Sequence, residues 1–156
     1  MTGVQTCALP IFVVDNDIDV LAMTETWLRP GTDDSVEIGT LYPTGYRAIH
    51  IPRSHSAGGG VGIIFKNSIR LNTSLTDQYH SFELMDFHLR MVRCVRFLLV
   101  YQPPSLSTSL FLEEFSKLLE HITADLRHKR LLIVGDFNIH VDNPNRSEER
   151  RVGKEC

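Results

Sequence analysis

Three apolar runs of the sequence end in polar side chains that could do chemistry. Glu25 follows VLAMT, Tyr101 ends RFLLVY, and Asp136 and Asn138 follow LLIVG. Sites of α/β proteins are commonly built at strand ends, because a sheet holds side chains there more firmly than a loop does. Carboxylates from two strand ends are the oxygen ligands that Mg²⁺ prefers, and Mg²⁺ keeps waters and binds substrate phosphates. The pattern favours phosphate-ester chemistry.

The third run leads into the sequence GDFNIH at 135–140. We expect Gly135 to permit a tight turn out of the strand, and Asp136 and Asn138, two residues apart, to project to one side of an extended segment. A carboxylate can orient and deprotonate a water, and an amide can donate to a phosphoryl oxygen. From these residues alone, an Asx turn that closes a buried strand is an equally good interpretation.

Alternating and continuous apolar patterns predict the elements that position these groups. We expect strands at 19–24, 61–66, 81–89, 92–101 and 130–134, the last of them buried on both faces. One apolar stripe predicts a helix over 109–126, with N-cap candidates among residues 105–109. The turn-rich stretch 29–60 is interpreted as long loops within one domain. The predicted fold class is α/β (α+β), with helices packed on sheets.

Composition is that of an ordinary globular domain. The chain has 156 residues, a net charge of -3, 42% hydrophobic and 22% charged residues, and no apolar run approaches the ~20 residues of a membrane span. Residues 38–76 contain no Asp or Glu but several basic side chains, which is weak support for a nucleic-acid partner.

Both ends of the chain are predicted to be foreign to the domain. Residues 2–11 (TGVQTCALPI) and 146–156 (RSEERRVGKEC) can be back-translated to the two partner adapters of a common sequencing library. We therefore expect 1–11 and 146–156 to be adapter-derived tails around a partial domain at 12–145; a natural leader and a natural basic tail are the alternative. Cys94 is then the one native cysteine, so we expect no disulfide partner and an intracellular location, nuclear or cytoplasmic, without secretion.

An ordered set of motifs resembles the endonuclease/exonuclease/phosphatase superfamily, and within it most closely the apurinic-endonuclease-like domain of LINE-type (non-LTR) retrotransposons. The motifs are ETWL at 25–28, GGGVGIIF at 58–65, FELMDFHL at 82–89, VYQPPS at 100–105 and LLIVGDFNIHVDNP at 131–144. The resemblance implies two packed β-sheets flanked by helices, and cleavage of phosphate esters with Mg²⁺, or alternatively Mn²⁺. It also implies DNA as the partner and no membrane.

The resemblance also implies roles for individual residues. Glu25 matches the metal-binding glutamate, Tyr101 the tyrosine that hydrogen-bonds the phosphate, Asp136 the aspartate that aligns or deprotonates the attacking water, and Asn138 the asparagine that supports the oxyanion. The structural alternatives are a surface glutamate for Glu25 and packing against the following prolines for Tyr101. His140 is interpreted as structural, and Glu83 as a solvated or hydrogen-bonded strand residue.

Two parts of the family pattern are not matched: the first strand with its metal-site asparagine, and the closing aspartate-histidine pair. Loss of one such transition-state stabiliser typically costs ~10² to 10³ in rate. We therefore expect a fragment of a Mg²⁺-dependent DNA endonuclease, which in the whole protein nicks target DNA before reverse transcription, and we expect the fragment itself to be inactive. The alternatives are another phosphoesterase of the same fold and a non-catalytic α/β binding domain.

Overall fold

The computed structural model describes residues 5–28, 39, 42–53, 58–74, 79–90, 94–124 and 130–139. Two helices and seven strands lie in these ranges. In chain order they are α1 (Gln5–Asp15), β1 (Val20–Thr24), β2 (Tyr46–Ile51), β3 (Val61–Lys66), β4 (Arg70–Thr73), β5 (Glu83–Arg90), β6 (Cys94–Tyr101), α2 (Thr108–Ala124) and β7 (Leu131–Asp136).

The strands form two sheets, called A and B below. Sheet A has the order β1-β3-β2 and is antiparallel throughout. Sheet B has the order β4-β5-β6-β7, in which β6 and β7 run parallel and α2 forms the crossover between them. Two packed sheets with flanking helices confirm the predicted fold class.

The alternation of β6 shows how the layers pack. Phe97, Leu99 and Tyr101 point toward sheet A, whereas Leu98 and Val100 point toward α2. The side chains between the sheets form one core cluster, whose buried members from β3 and β5 are Val61, Ile63, Phe65, Met85, Phe87 and Leu89. Sheet B is therefore the middle layer, covered by sheet A on one face and by α2 on the other.

Helix α2 packs on sheet B with its apolar stripe. The Ser107 hydroxyl accepts a hydrogen bond from the Leu110 amide at 3.4 Å, which places the N-cap within the predicted 105–109. Phe111, Leu118 and Ile122 are buried. Leu110, predicted to belong to the stripe, is 40% exposed, because it lies at the edge of the helix face that contacts the sheet.

Two short strands and one burial pattern depart from the sequence predictions. Strand β2 lies inside the stretch 29–60 that was interpreted as loops, and the four-residue β4 was not predicted. Strand β2 lies in a turn-rich stretch, and β4 has four residues of which only Leu71 is apolar, so neither has a long apolar pattern. Strand β7, predicted to be buried on both faces, leaves Leu132 46% exposed.

Helix α1 crosses the predicted boundary between residues 11 and 12. Val13 is fully buried, whereas Ile11, Phe12 and Val14 are more than half exposed. The domain boundaries at 11 and 146 stay a prediction, which sequencing of the source DNA across both junctions would test. Neither described helix is long and apolar enough to cross a membrane, and Cys94 is exposed and not in a disulfide.

Candidate active site

The candidate site begins with a contact between the two sheets. Glu25 directly follows β1 in sheet A, and Tyr101 ends β6 in sheet B. The Tyr101 hydroxyl donates a hydrogen bond to Glu25 Oε1, although the two residues are 76 positions apart in the chain. Tyr101 is almost completely buried and Glu25 is exposed, so the contact marks the mouth of the space between the sheets.

The backbone at Glu25 has an unusual conformation that turns this segment back onto the start of β3. Glu25 and Trp27 have φ values of 52° and 57°, in the left-handed region that non-glycine residues rarely adopt. Between them, Thr26 donates its amide to Gly60 O at 3.2 Å, and its hydroxyl lies 2.7 Å from His50 Nε2. Left-handed residues of this kind persist where surrounding contacts hold them, and they cluster at functional sites.

An arginine-carboxylate pair lies behind Tyr101. Arg53 forms an ion pair with Glu83 through its Nε, and its guanidinium carbon lies 5.8 Å from the centre of the Tyr101 ring. The second carboxylate oxygen of Glu83 accepts the Gly60 amide at 2.6 Å. A side chain at Gly59 would overlap both Arg53 and Glu83, so the glycine run leaves the space that this pair occupies.

Tyr101 is protonated at neutral pH even at its ordinary pKa of 10, and its surroundings raise that pKa further. Burial is the largest cause that raises the pKa of Tyr101, to about 12, and the hydrogen bond to Glu25 and its negative charge add to the shift. Arg53 opposes the shift through its positive charge and a hydrogen bond. The phenol is therefore a hydrogen-bond donor at neutral pH.

Asp136 lies beside Tyr101. The two residues are directly in register across the parallel pair β6–β7, so their side chains point to the same face of sheet B. The Asp136 carboxylate is exposed. Gly135 does not form the predicted turn: it lies within β7 opposite Val100 with φ 147°, and a side chain there would overlap the Val100 carbonyl. The glycine allows the two strands to approach closely just before Asp136.

Asn138 is held by the ends of both strands. Its amide Nδ2 donates to Gln102 O at 2.8 Å, and its backbone N–H donates to Asp136 Oδ1 at 3.1 Å, so the Asx turn named as an alternative is present. Asn138 has φ 47°. Between the two polar residues, Phe137 packs at 6.0 to 6.1 Å from the rings of Phe111 and Phe115. This aromatic contact ties the turn to α2.

The structure thus brings the four predicted residues to one mouth of the sheets. Glu25 contacts Tyr101, Tyr101 pairs with Asp136, and Asn138 is bonded to Asp136. Tyr101 does not take up the alternative of pure proline packing, since its hydroxyl is bonded to Glu25. Glu83 is the hydrogen-bonded strand residue that the sequence allowed. His140 lies outside the described residues.

Sequence reasoning missed two residues of the site. In the sequence, Arg53 is one of several basic residues of the stretch 38–76, and Phe137 had no predicted role. The signal for Phe137 was an apolar residue between two polar ones after a strand. No local pattern marks Arg53, because its partner Glu83 is 30 residues away.

The basic stretch carries less free charge than its composition suggested. Lys66 is bonded to Asp17 at 2.7 Å and to Asp19 at 2.8 Å, and both contacts raise its pKa. Arg53 is paired with Glu83. Arg47 donates to the Ile69 carbonyl and lies over the Phe65 ring. Two of the basic residues between 38 and 76, Lys66 and Arg53, are therefore paired with carboxylates.

The carboxylate oxygen atoms at the mouth are of the type that Mg²⁺ binds. Glu25 and Asp136 offer exposed carboxylates, and Mg²⁺ in phosphate-handling sites typically uses one or two carboxylates and otherwise waters and substrate oxygens. Within the described ranges, no group of three or more His, Cys, Asp or Glu side chains is placed to hold a metal. Two exposed carboxylates suit a partly hydrated hard cation.

Comparison with solved structures shows what this arrangement resembles. The fold is similar to the endonuclease domain of TRAS1, a telomere-specific non-LTR retrotransposon, with TM-score 0.62 and 13% identity over 89% of this chain and 55% of that one. It is also similar to ANGEL2, a 2',3'-cyclic phosphatase, with TM-score 0.58 and 16% identity over 95% of this chain and 46% of that one. The AP endonuclease LMAP from Leishmania major matches with TM-score 0.47 and 20% identity, over 63% of this chain and 34% of that one.

The chain spans about half the length of the first two of these structures. No curated protein sequence matches it. The sequence profile of the Endonuclease/Exonuclease/phosphatase family matches residues 5–154, nearly the whole chain. The chain therefore belongs to the endonuclease/exonuclease/phosphatase family.

Proposed function

We propose that this chain is part of a Mg²⁺-dependent DNA endonuclease of a non-LTR retrotransposon, which nicks DNA by hydrolysing a phosphodiester bond. The observation that carries the proposal is the hydrogen bond from Tyr101 to Glu25 at the mouth of the two sheets, with Asp136 in register beside Tyr101. A donor, a carboxylate for a cation and a carboxylate for a water at one place are the groups that phosphodiester hydrolysis needs.

Each residue has a task that its surroundings support. Glu25 would hold Mg²⁺ with its exposed carboxylate, and the ion would polarise a phosphoryl oxygen when bound. Tyr101, whose single phenolic hydrogen is donated to Glu25 in the structure, would donate it to a phosphate oxygen once the Glu25 carboxylate binds the ion. Asp136 orients a water and accepts its proton. Asn138 already uses one amide hydrogen on Gln102, which leaves its second for a developing oxyanion.

The nucleic-acid part of the proposal has separate support. The motif set resembles non-LTR retrotransposon endonucleases, and the fold is similar to an endonuclease domain from such an element. Tyr101 ends β6, Asp136 ends β7, and Asn138 follows two residues later, so the motif residues of these two strands lie close together.

The test is nicking of supercoiled plasmid in Mg²⁺. We expect the 156-residue chain alone not to nick, and a version completed at both ends with segments of a full-length non-LTR endonuclease domain to nick. In the completed version, Glu25→Gln should raise the Mg²⁺ concentration required, and Asp136→Asn should remove most turnover, about 10²-fold or more.

The outcomes separate the competing functions. Full nicking by the 156-residue chain would contradict the expectation that further segments are essential. Turnover of small phosphate esters without nicking would favour another phosphoesterase. Normal nicking by the Asp136→Asn variant would overturn the assigned site.

A further inference from the structure

Trp27 is a large aromatic side chain beside the candidate site that the proposed mechanism does not use. It is 58% exposed, the highest exposure of any aromatic side chain among the exposed hydrophobic residues of the described ranges. Single exposed apolar side chains are common on protein surfaces, so the backbone and ring contacts that hold Trp27 beside the site carry the argument.

The backbone holds Trp27 in place. Its φ is 57°, and its amide donates to Gly59 O at 2.8 Å. For a bulky residue this left-handed conformation is a genuine outlier. The ring is thus presented by a bonded, strained segment rather than by a free loop.

The ring also has a support. A Cβ at Gly58 would lie 3.2 Å from Trp27 Cη2 and Cζ3 and 3.4 Å from Cε3, so the six-membered ring rests against the Gly58 backbone. A ring supported on one side and open on the other loses little side-chain entropy when something packs on the open side.

Trp27 is close to the place where a phosphate would bind. Two residues of extended chain span at most about 7 Å, so the Trp27 backbone lies within that distance of Glu25. Stacked nucleotides of a duplex strand rise by about 3.4 Å, and an unstacked strand is more extended. For a strand whose phosphate lies beside Glu25 and Tyr101, a base one or two nucleotides away is therefore at a distance that the Trp27 ring can reach.

We propose that Trp27 is a nucleobase-stacking platform, which packs on an unstacked base one or two nucleotides from the bound phosphate. The inference rests on the proposed nucleic-acid function and deepens it, since it specifies a substrate with bases rather than any phosphate ester. Stacking tolerates every base because each has a π-face, so Trp27 would add affinity without sequence preference.

The sequence contains a single tryptophan, so its fluorescence reports on this ring alone. The experiment titrates the full 156-residue chain, without divalent metal and at one salt concentration, with two labelled single-stranded oligonucleotides of equal length. One is oligothymidylate and the other carries abasic sites throughout, with the same phosphates. Binding is followed by tryptophan fluorescence and, independently, by anisotropy of the label.

We expect oligothymidylate to quench Trp27 and to bind on the order of 10-fold more tightly than the abasic strand. Trp27→Ala should abolish that difference and leave abasic binding unchanged, whereas Trp27→Phe should retain part of it. Leu112→Ala is the matched control, because Leu112 is a similarly exposed apolar residue on α2 and its loss should change neither affinity.

Equal affinity of the Trp27→Ala variant and the parent chain for oligothymidylate would overturn the stacking role and leave the proposed endonuclease intact. Failure of both oligonucleotides to bind the parent chain would count against the nucleic-acid function itself. Circular dichroism of each variant shows that the comparison is made between folded proteins.

Discussion

Strand β5 carries two carboxylate-arginine pairs on opposite faces of sheet B. On the face toward sheet A, Glu83 pairs with Arg53, which comes from the loop after β2. On the face toward α2, Asp86 pairs with Arg96 of the neighbouring strand, with contacts of 2.6 to 3.2 Å to both carboxylate oxygens. The Asp86 pair is the more deeply buried of the two.

The difference between the pairs lies in what they touch. The Asp86–Arg96 pair stays within two adjacent strands and is nearly closed to solvent, so its charges satisfy each other. The Glu83–Arg53 pair continues to Tyr101 and from there to the exposed Glu25. We therefore interpret the Asp86–Arg96 pair as structural. We interpret the Glu83–Arg53 pair as part of the candidate site, because it connects through Tyr101 to an exposed carboxylate.

The largest expected effect on stability is at the buried Asp86–Arg96 pair. Asp86→Ala leaves the Arg96 charge buried without its carboxylate, which should cost about 3 to 5 kcal/mol in free energy of unfolding. Urea denaturation measures the loss. The double variant Asp86→Leu with Arg96→Met should recover most of it, because a buried ion pair replaced by apolar groups is often neutral in stability.

An exposed pair gives the matched control for this experiment. Lys117 and Glu113 form an i,i+4 pair on the surface of α2 at 2.7 Å. Glu113→Gln should change the free energy of unfolding by no more than about 0.5 kcal/mol. Equal losses in Asp86→Ala and Glu113→Gln would show that burial does not separate the pairs.

A change at the Glu83–Arg53 pair should alter the free energy of unfolding less, and the pKa of Tyr101 more, than a change at the Asp86–Arg96 pair. Glu83→Gln should cost about 1 to 2 kcal/mol, since it weakens charge-assisted hydrogen bonds in a partly accessible position. It also leaves the Arg53 charge less compensated, so the pKa of Tyr101 should fall below about 12. Ultraviolet titration of phenolate absorbance measures this, with the Tyr101→Phe variant subtracted to remove the other tyrosines.

The double variant Asp86→Leu with Arg96→Met should leave the Tyr101 titration unchanged. A shift of the Tyr101 pKa in that variant, or none in Glu83→Gln, would remove the distinction between a structural pair and a site pair.

The smallest effect concerns a carboxylate with no arginine. Glu114 of α2 accepts the Ser81 amide at 2.9 Å, the Ser81 hydroxyl at 2.6 Å and the His80 amide at 3.2 Å. Burial raises its pKa, but these hydrogen bonds outweigh burial and hold the pKa below the ordinary 4.5. The ionised form therefore stabilises the fold above the unfolded-state pKa, and that stability is lost as the pH falls through the lower folded-state value.

Glu114→Gln should accordingly lower the free energy of unfolding by about 1 kcal/mol at neutral pH. The difference from the parent chain should shrink below about pH 4.5. Chemical denaturation at several pH values measures this. A difference that stays constant with pH would show that the ionised form of Glu114 is not what the three donors stabilise.

Local apolar patterns predicted five of the seven described strands and α2. Strand β3 spans the predicted 61–66, and the helix and the remaining long strands lie within a few residues of their predicted limits. These elements have strong apolar periodicity, which is a local property. Strands β2 and β4 escaped prediction because β2 lies in a turn-rich stretch and β4 has four residues with one apolar side chain.

The site itself was decided by tertiary structure. Glu25, Tyr101 and Asp136 could be named from motifs, but the Glu25–Tyr101 hydrogen bond exists only because two sheets pack face to face. Arg53 and Trp27 had no local signal for their positions. The position of Arg53 depends on a carboxylate 30 residues away, and that of Trp27 depends on a left-handed backbone and on contact between its ring and Gly58. The physical reason is the same for both: charge pairing and ring contacts depend on distance in space, and the chain order leaves that distance open until the sheets pack.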